Sequence, residues 1–357
     1  MGKYRYMPSS NVFGSTTKTE KQQQQPWSRR RKLILAGVAT VLILALALGL
    51  GLGLTLGNSG NDDNDSGDGG DGGGGPTLSP LPSPNSTLPW TPRVNDTWQI
   101  VLSAALVVSD TVTPDVSVFD IDLFDTPADT IERLHKLGKK VICYFSAGSF
   151  ENWRPDAKDF APEDLGHNLN GWPGEKWLKL SSPNVQSIMK KRIEMAQGRG
   201  CDGIDPDNID GYENNNGLGL TTNDSIHYMQ YLSSVARPLN LTLGLKNGGK
   251  IISAVLPLVD FSVNEQCVQY SECDSFHAFI DAGKPVFHIE YPDGNGNMAQ
   301  NTDLHGFNQD TQNKFCDAKG SSGFSTVLKK MNLDGWVQYC HGQVQETGVN
   351  STTSGQN

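Results

Sequence analysis

The chain has 357 residues, 36% of them hydrophobic and 19% charged, with 39 Gly, 19 Pro and a formal net charge of -10. Residues 1–57 hold eight of the 29 basic side chains and one of the 39 acidic ones, which leaves the other 300 residues with 21 basic and 38 acidic groups, a net of -17. A body this acidic repels a phosphate backbone, which excludes nucleic-acid binding by bulk charge, and the mixture of glycine-rich and apolar stretches predicts one large domain with appendages.

Residues 1–32 are a polar, basic tail, and residues 33–57 (LILAGVATVLILALALGLGLGLTLG) contain no charge. At about 1.5 Å per helical residue this run exceeds a hydrocarbon core of roughly 30 Å, so it predicts a transmembrane signal-anchor helix. The other reading of such a run is a cleaved signal peptide, whose apolar region usually spans only about 7–15 residues. Arg29, Arg30, Arg31 and Lys32 precede the run, whereas five Asp and no cation lie between 58 and 71. The positive-inside rule then keeps the tail cytoplasmic and predicts a single-pass type II protein of the plasma membrane with its large part extracellular. Residues 58–92, Gly/Asp-rich and then Pro/Ser/Thr-rich, read as a disordered stalk. Cleavage of that stalk would release the domain to the cell wall. N-x-S/T acceptors for N-glycosylation stand at Asn64, Asn85, Asn95, Asn223, Asn240 and Asn350, all on the extracellular side. All six cysteines also follow the run, and six allow 15 pairings. Pairing the local ones, Cys267–Cys273 and Cys316–Cys340, leaves Cys143–Cys201. Without C-x-x-C or paired His at ligand spacing, neither a metal nor another cofactor is expected.

From residue 93 onward there are 265 residues with 21 basic and 33 acidic groups, a net of -12. Short apolar runs predict strands at Trp98–Ser103, Val116–Ile121, Lys140–Ser146, Trp177–Leu180, Gly203–Asp207, Leu241–Lys246, Asp260–Asn264, Pro285–Glu290 and Gly335–Tyr339. Helix signals lie between them: Thr126 as an N-cap before 127–137, Ser182-Pro183 opening a periodic stretch that ends near Gly198, and a segment that follows Asn223-Asp224 and stops at Arg237-Pro238. Strand and helix in alternation over about 250 residues predict an α/β fold, a (β/α)8 TIM-like barrel over 93–342, with an open doubly wound sheet as the alternative and 343–357 as a disordered tail. No G-x-G-x-x-G follows the first strand, which removes a dinucleotide site.

In a barrel, chemistry sits at the carboxy-terminal tips of the strands. Here those tips are acidic: Asp120 and Asp122, Tyr144 with Glu151 beyond it, Asp205, Asp207 and Asn208, Lys246 and Asn247, Glu265, and Tyr291. Glycoside hydrolysis uses two carboxyl groups across the scissile bond. Asp207 and Glu265 meet that need, because one strand separates theirs and alternate strands fill one interior layer. Asp205, two residues before Asp207, shares its face and is its rival.

These tip motifs resemble a known family. Val141-Ile142-Cys143-Tyr144-Phe145-Ser146-Ala147-Gly148-Ser149-Phe150-Glu151, preceded by Phe119-Asp120-Ile121-Asp122-Leu123-Phe124-Asp125-Thr126, is similar to the glycoside hydrolase family 114 endo-α-1,4-polygalactosaminidases. So are Gly200-Cys201-Asp202-Gly203-Ile204-Asp205-Pro206-Asp207-Asn208, Gly244-Leu245-Lys246-Asn247 and Asn264-Glu265-Gln266-Cys267, a likeness that spans residues 98 to 340. The resemblance implies a TIM-like barrel that cleaves α-1,4-linked galactosamine polymers such as galactosaminogalactan, within de-N-acetylated stretches. It makes Asp207 and Glu265 the catalytic pair, assigned as nucleophile and acid/base in that order.

Galactosamine polymers are polycations, which a domain of net charge -12 attracts. The expected substrate-binding residues are Asp120, Asp122, Glu151 and Asp205 for the amine, Trp98, Tyr144 and Tyr291 for sugar faces, Asn208 and Asn247, and Lys246 to orient a carboxylate. A monomer is expected. Two other classes remain: a Golgi-type glycosyltransferase using Asp120-x-Asp122 for a nucleotide sugar, and an inactive carbohydrate-binding barrel. A calcium loop over Asp205 to Asp210 is rejected, since Ile209 and Asp210 stand where an oxygen ligand and a glycine would be needed.

Overall fold

The computed structural model describes residues 88–292, 306–340 and 342–350. The predicted anchor at 33–57, the tail and most of the stalk lie outside the described residues, as do Asn64 and Asn85. No helix among the described residues is long and apolar enough to cross a membrane. The other four glycosylation acceptors, Asn95, Asn223, Asn240 and Asn350, are all exposed.

The main sheet has ten strands in the order β1 (Trp98–Val101), β2 (Val118–Asp122), β3 (Lys140–Ser146), β7 (Gly203–Asp207), β8 (Thr242–Lys246), β9 (Phe261–Glu265), β10 (Val286–Glu290), β11 (Ser325–Leu328), β12 (Trp336–Tyr339) and β13 (Val344–Glu346). From β1 through β11 in that order the neighbours are parallel, whereas β12 and β13 are antiparallel. The sheet is curled and parallel-rich, a half-barrel consistent with a TIM-like barrel. Its two ends are tied by side chains: Trp98 Nε1 donates to the Ser325 carbonyl at 2.7 Å, Gln99 Nε2 to the Gly335 carbonyl at 3.1 Å, and Tyr339 Oη to the Trp98 carbonyl at 2.9 Å.

Two apolar clusters follow from the period-two alternation of strand side chains. Trp98, Ile100, Val118, Ile142, Phe261, Val263, Phe287, Ile289 and Val327 form one, inside the curl. Phe119, Ile121, Val141, Phe145, Ile204, Leu243 and Leu245 belong to the other, where the strands meet the helices. Each fully buried Phe, Leu or Val side chain contributes roughly 1.5–3 kcal/mol. Gly244 is needed inside the curl because a Cβ there would lie 2.5 Å from the Phe261 ring.

The helices obey their sequence signals with small shifts. Pro183–Arg199 is capped by Ser182, whose Oγ accepts from Val185 N, and it stops at Gly200 in the left-handed region at φ 90°. Thr222–Ala236 takes in Asn223-Asp224 instead of following it, because Thr221 and Asp224 form a capping box. Ala128–Lys136 has Pro127 at its N-cap and no side-chain cap, so the capping expected of Thr126 does not occur.

Three other expectations change. Trp177–Leu180 is not a main-sheet strand: Glu175–Leu178 is β6, the centre of an antiparallel side sheet with β4 (Ser149–Glu151) and β5 (Leu165–Asn168). The last parallel place goes to β11, Ser325-Thr326-Val327-Leu328, whose two apolar residues make no apolar run in the sequence. Residues 343–350 are not wholly a disordered tail, because β13 pairs with β12 and Val107 N donates to the Gly348 carbonyl at 2.8 Å. The domain therefore extends past 342. All three expected disulfides are present: Cys143–Cys201, Cys267–Cys273 and Cys316–Cys340.

Candidate active site

The carboxy-terminal strand tips open into a cavity of about 430 Å³. Of the residues expected from sequence, Asp122, Tyr144, Glu151, Asp207, Asn208, Lys246, Asn247, Glu265 and Tyr291 line it. Asp207 closes β7 and Glu265 closes β9, with β8 and its Lys246 between them. The Lys246 ammonium lies 3.6 Å from Asp207 Oδ1 and 3.4 Å from Glu265 Oε2. These two oxygens are therefore separated by no more than the sum of those distances, 7.0 Å.

Each carboxylate has its own donors. Tyr144 Oη donates to Asp207 Oδ2 at 2.9 Å, and Asn208 N to Asp207 Oδ1 at 2.7 Å. Tyr291 Oη donates to Glu265 Oε1 at 2.5 Å and Asn247 Nδ2 to Oε2 at 3.2 Å, while Asn247 Oδ1 accepts from Glu265 N at 2.9 Å. Asn208 and Asn247 hold positive φ of 63° and 50°, a region Asn tolerates better than most residues. The two asparagines thus position the pair. Gly148 permits the approach of the loop after β7: a Cβ there would lie 1.7 Å from the Asn208 carbonyl oxygen.

Charge is concentrated beneath the pair. Asp120 and Asp205 are fully buried, and as carboxylates neither has a donor. Burial and then the adjacent Asp205 push the Asp120 carboxyl well above its ordinary range, so it keeps its proton and can donate it to Asp205. Burial also pushes Asp205 up to about 7, although Lys246, 4.0 Å away, opposes the shift. Burial alone would discharge Lys246, but Asp207, Glu265 and Asp205 together raise its pKa above the usual lysine value. Burial would likewise raise Glu265, yet Lys246, Tyr291 and Asn247 outweigh it and hold this carboxyl below its ordinary value.

Two expectations do not hold. Trp98 is 1% exposed at the start of β1, its ring 5.0 Å from that of Phe287, so it is core and meets no sugar. Asp120 and Asp205 are fully buried and do not line the cavity, so they reach a ligand only through Lys246 and the cavity-lining carboxylates. Asp122 and Glu151 do line the cavity, but Arg154 neutralises both: its guanidinium reaches Asp122 Oδ2 at 2.7 Å and Glu151 Oε2 at 2.9 Å.

Sequence reading missed Arg154, Trp153, Trp172, Trp177, Glu175 and Asp210, all of which line the cavity. Five of the six lie between β3 and the helix Pro183–Arg199, in a segment where the sequence pointed only to Glu151 and to a strand at Trp177–Leu180. Burial, followed by Asp207 for one and partly by Glu151 for the other, pushes Asp210 and Glu175 each up to about 7.

A family model described as glycoside-hydrolase family GH114 matches residues 79–345. Among solved structures the chain is similar to Ega3 of Aspergillus fumigatus, crystallised in complex with galactosamine, at 50% identity and a TM-score of 0.68 over 71% of this chain and 99% of that one. It shares only its fold with the glycoside hydrolase domain of PelA from Pseudomonas aeruginosa, at 12% identity and a TM-score of 0.50 over 66% of this chain and 95% of that one. No curated protein sequence matches it. Two acidic strand tips joined through one buried lysine thus stand in a fold and sequence that place the chain in glycoside-hydrolase family GH114.

Proposed function

We propose that this enzyme cleaves α-1,4-linked galactosamine polymers internally, within de-N-acetylated stretches, by two-carboxylate catalysis at Asp207 and Glu265. The observation that carries the reading is the shared Lys246 contact, which fixes two carboxylates of different strands on one cavity. The galactosamine complex of Ega3 supports the substrate class, and so does the attraction of a polycation to a domain of net charge -12. We assign Asp207 as nucleophile and Glu265 as acid/base. One observation favours the reverse: the donors around Glu265 stabilise its charged form, the state in which a carboxylate attacks.

The Asp120-x-Asp122 reading of a glycosyltransferase is disfavoured, since Asp122 is engaged by Arg154 and Asp120 is buried below the cavity. The test is reducing-end release from de-N-acetylated α-1,4-galactosaminan by the fragment 93–357. Rapid loss of polymer length with oligomers as early products is the expected result. Accumulation of monomer from an otherwise full-length polymer would sink the internal mode, and no release at all would sink the hydrolase reading for this substrate.

The same proposal places the domain outside the cell, held at the plasma membrane by residues 33–57, with release to the cell wall on stalk cleavage. The flanking charges, the exposed glycosylation acceptors and the three disulfides support it. Protease added to intact cells is expected to remove the domain and spare a tag at residue 1; a protected domain rejects this topology.

A further inference from the structure

The cavity carboxylates differ in which counter-charges they already possess. Asp207 and Glu265 share Lys246, and Asp122 and Glu151 share Arg154, with Arg192 3.7 Å from Glu151 as well. Glu175 has no ion pair among the described residues. It is 7% exposed, lines the cavity, and faces Glu151 across β4 and β6, a cross-strand pair of like charge. Its Oε2 accepts from Ser149 Oγ at 2.6 Å, and Ser149 is held in turn by Ser146 and Asn208, the residue after Asp207. Glu175 is therefore fixed in place with one neutral donor. A buried carboxylate in that condition is costly unless a cation reaches it. Trp153, Trp172 and Trp177 line the same cavity, and Trp172 is 38% exposed, so a flat apolar ring face is available beside the acid.

We propose that Glu175 is the specificity-determining residue that accepts the protonated amine of a bound amino sugar, with Trp153 and Trp172 supplying the stacking faces. The proposal rests on the reading of the substrate as a galactosamine polymer and adds to it the residue that distinguishes the free amine from its acetylated form. An incoming ammonium supplies the charge that Arg154 gives Glu151, whereas an acetamide brings no charge and leaves Glu175 buried without a counter-ion. Burial also pushes Glu175 up to about 7, so it can stay neutral until a cation arrives.

The experiment compares kcat and KM on fully de-N-acetylated and fully N-acetylated α-1,4-galactosaminan for the wild-type protein, Glu175→Gln and Glu175→Asp. For Glu175→Gln, kcat/KM on the cationic polymer is expected to fall about tenfold to a hundredfold, mainly through KM, and by clearly more than on the neutral polymer. Glu175→Asp, which keeps the charge, is expected to recover part of the selectivity. Equal losses on both polymers, or a loss in kcat alone, would show a structural role and overturn the proposal; so would unchanged selectivity. Failure of the wild-type protein to cleave either polymer overturns the functional reading itself, and this inference with it.

Discussion

Asp207→Asn and Glu265→Gln are each expected to lower kcat on the polymer about ten-thousandfold, with KM changed far less. Both substitutions keep the shape of the side chain and a carbonyl oxygen, so the bonds from Tyr144 and Tyr291 persist while nucleophilicity or proton exchange is lost. The variants separate once the leaving group no longer needs protonation. On an aryl α-galactosaminide with an acidic phenol, the variant lacking the acid is expected to recover most of the first step, and the variant lacking the nucleophile none of it. Recovery in Glu265→Gln fits the assignment of Asp207 as nucleophile, and recovery in Asp207→Asn fits the reverse. Polymer cleavage within tenfold of wild type by either variant would remove that residue from the catalytic pair.

Lys246→Met is expected to lower the melting temperature by about 10 °C at pH 8 and by less than half of that at pH 5. Removing one partner of a buried charge pair costs about 3–5 kcal/mol, and in a domain of this size each kcal/mol moves the midpoint by about 2–4 °C. The pH dependence follows from the carboxyls that the ammonium faces. In the folded chain Asp205 is raised to about 7 and Asp120 well above its ordinary value, so folding takes up protons as pH rises above the ordinary aspartate range. The stability they confer is full on the acid side and is lost as pH rises through about 7. Without the ammonium this loss deepens, because Asp205, Asp207 and Glu265 face one another uncompensated once deprotonated. A temperature gap that is the same at both pH values would mean that Lys246 acts by packing and not by charge.

Much of the main sheet and of the cavity lining was legible because buried parallel strands read as short apolar runs with acidic tips. The spacing of Asp207 and Glu265, one strand apart, translated directly into β7, β8 and β9. The exceptions have local causes. Trp98 looked like a sugar platform because aromatic residues at strands suit both roles; only its place at the first residue of β1, under Phe287, makes it core. The β11 strand was hidden because only Val327 and Leu328 of its four residues are apolar, and the side sheet by its irregular pairing, where β5 shifts register against β6 between Leu165 and Asn168. Arg154 was illegible for a different reason. Its partners Asp122 and Glu151 come from separate strands, and no spacing announces that one guanidinium will satisfy both.

That guanidinium also affects how the cleft meets a flexible glycan. Arg154 lies 4.7 Å above the Phe124 ring centroid and Arg192 4.9 Å, while Arg192 also grips Asp156 and the Ser146 carbonyl. The strand tips, the side sheet and the long helix are thereby fastened together before any sugar arrives. The rotamer freedom of this wall is given up at folding, not at binding. An incoming polysaccharide then loses only its own torsional freedom there, so each sugar residue that reaches the wall adds contact free energy with little subtracted for reordering the protein.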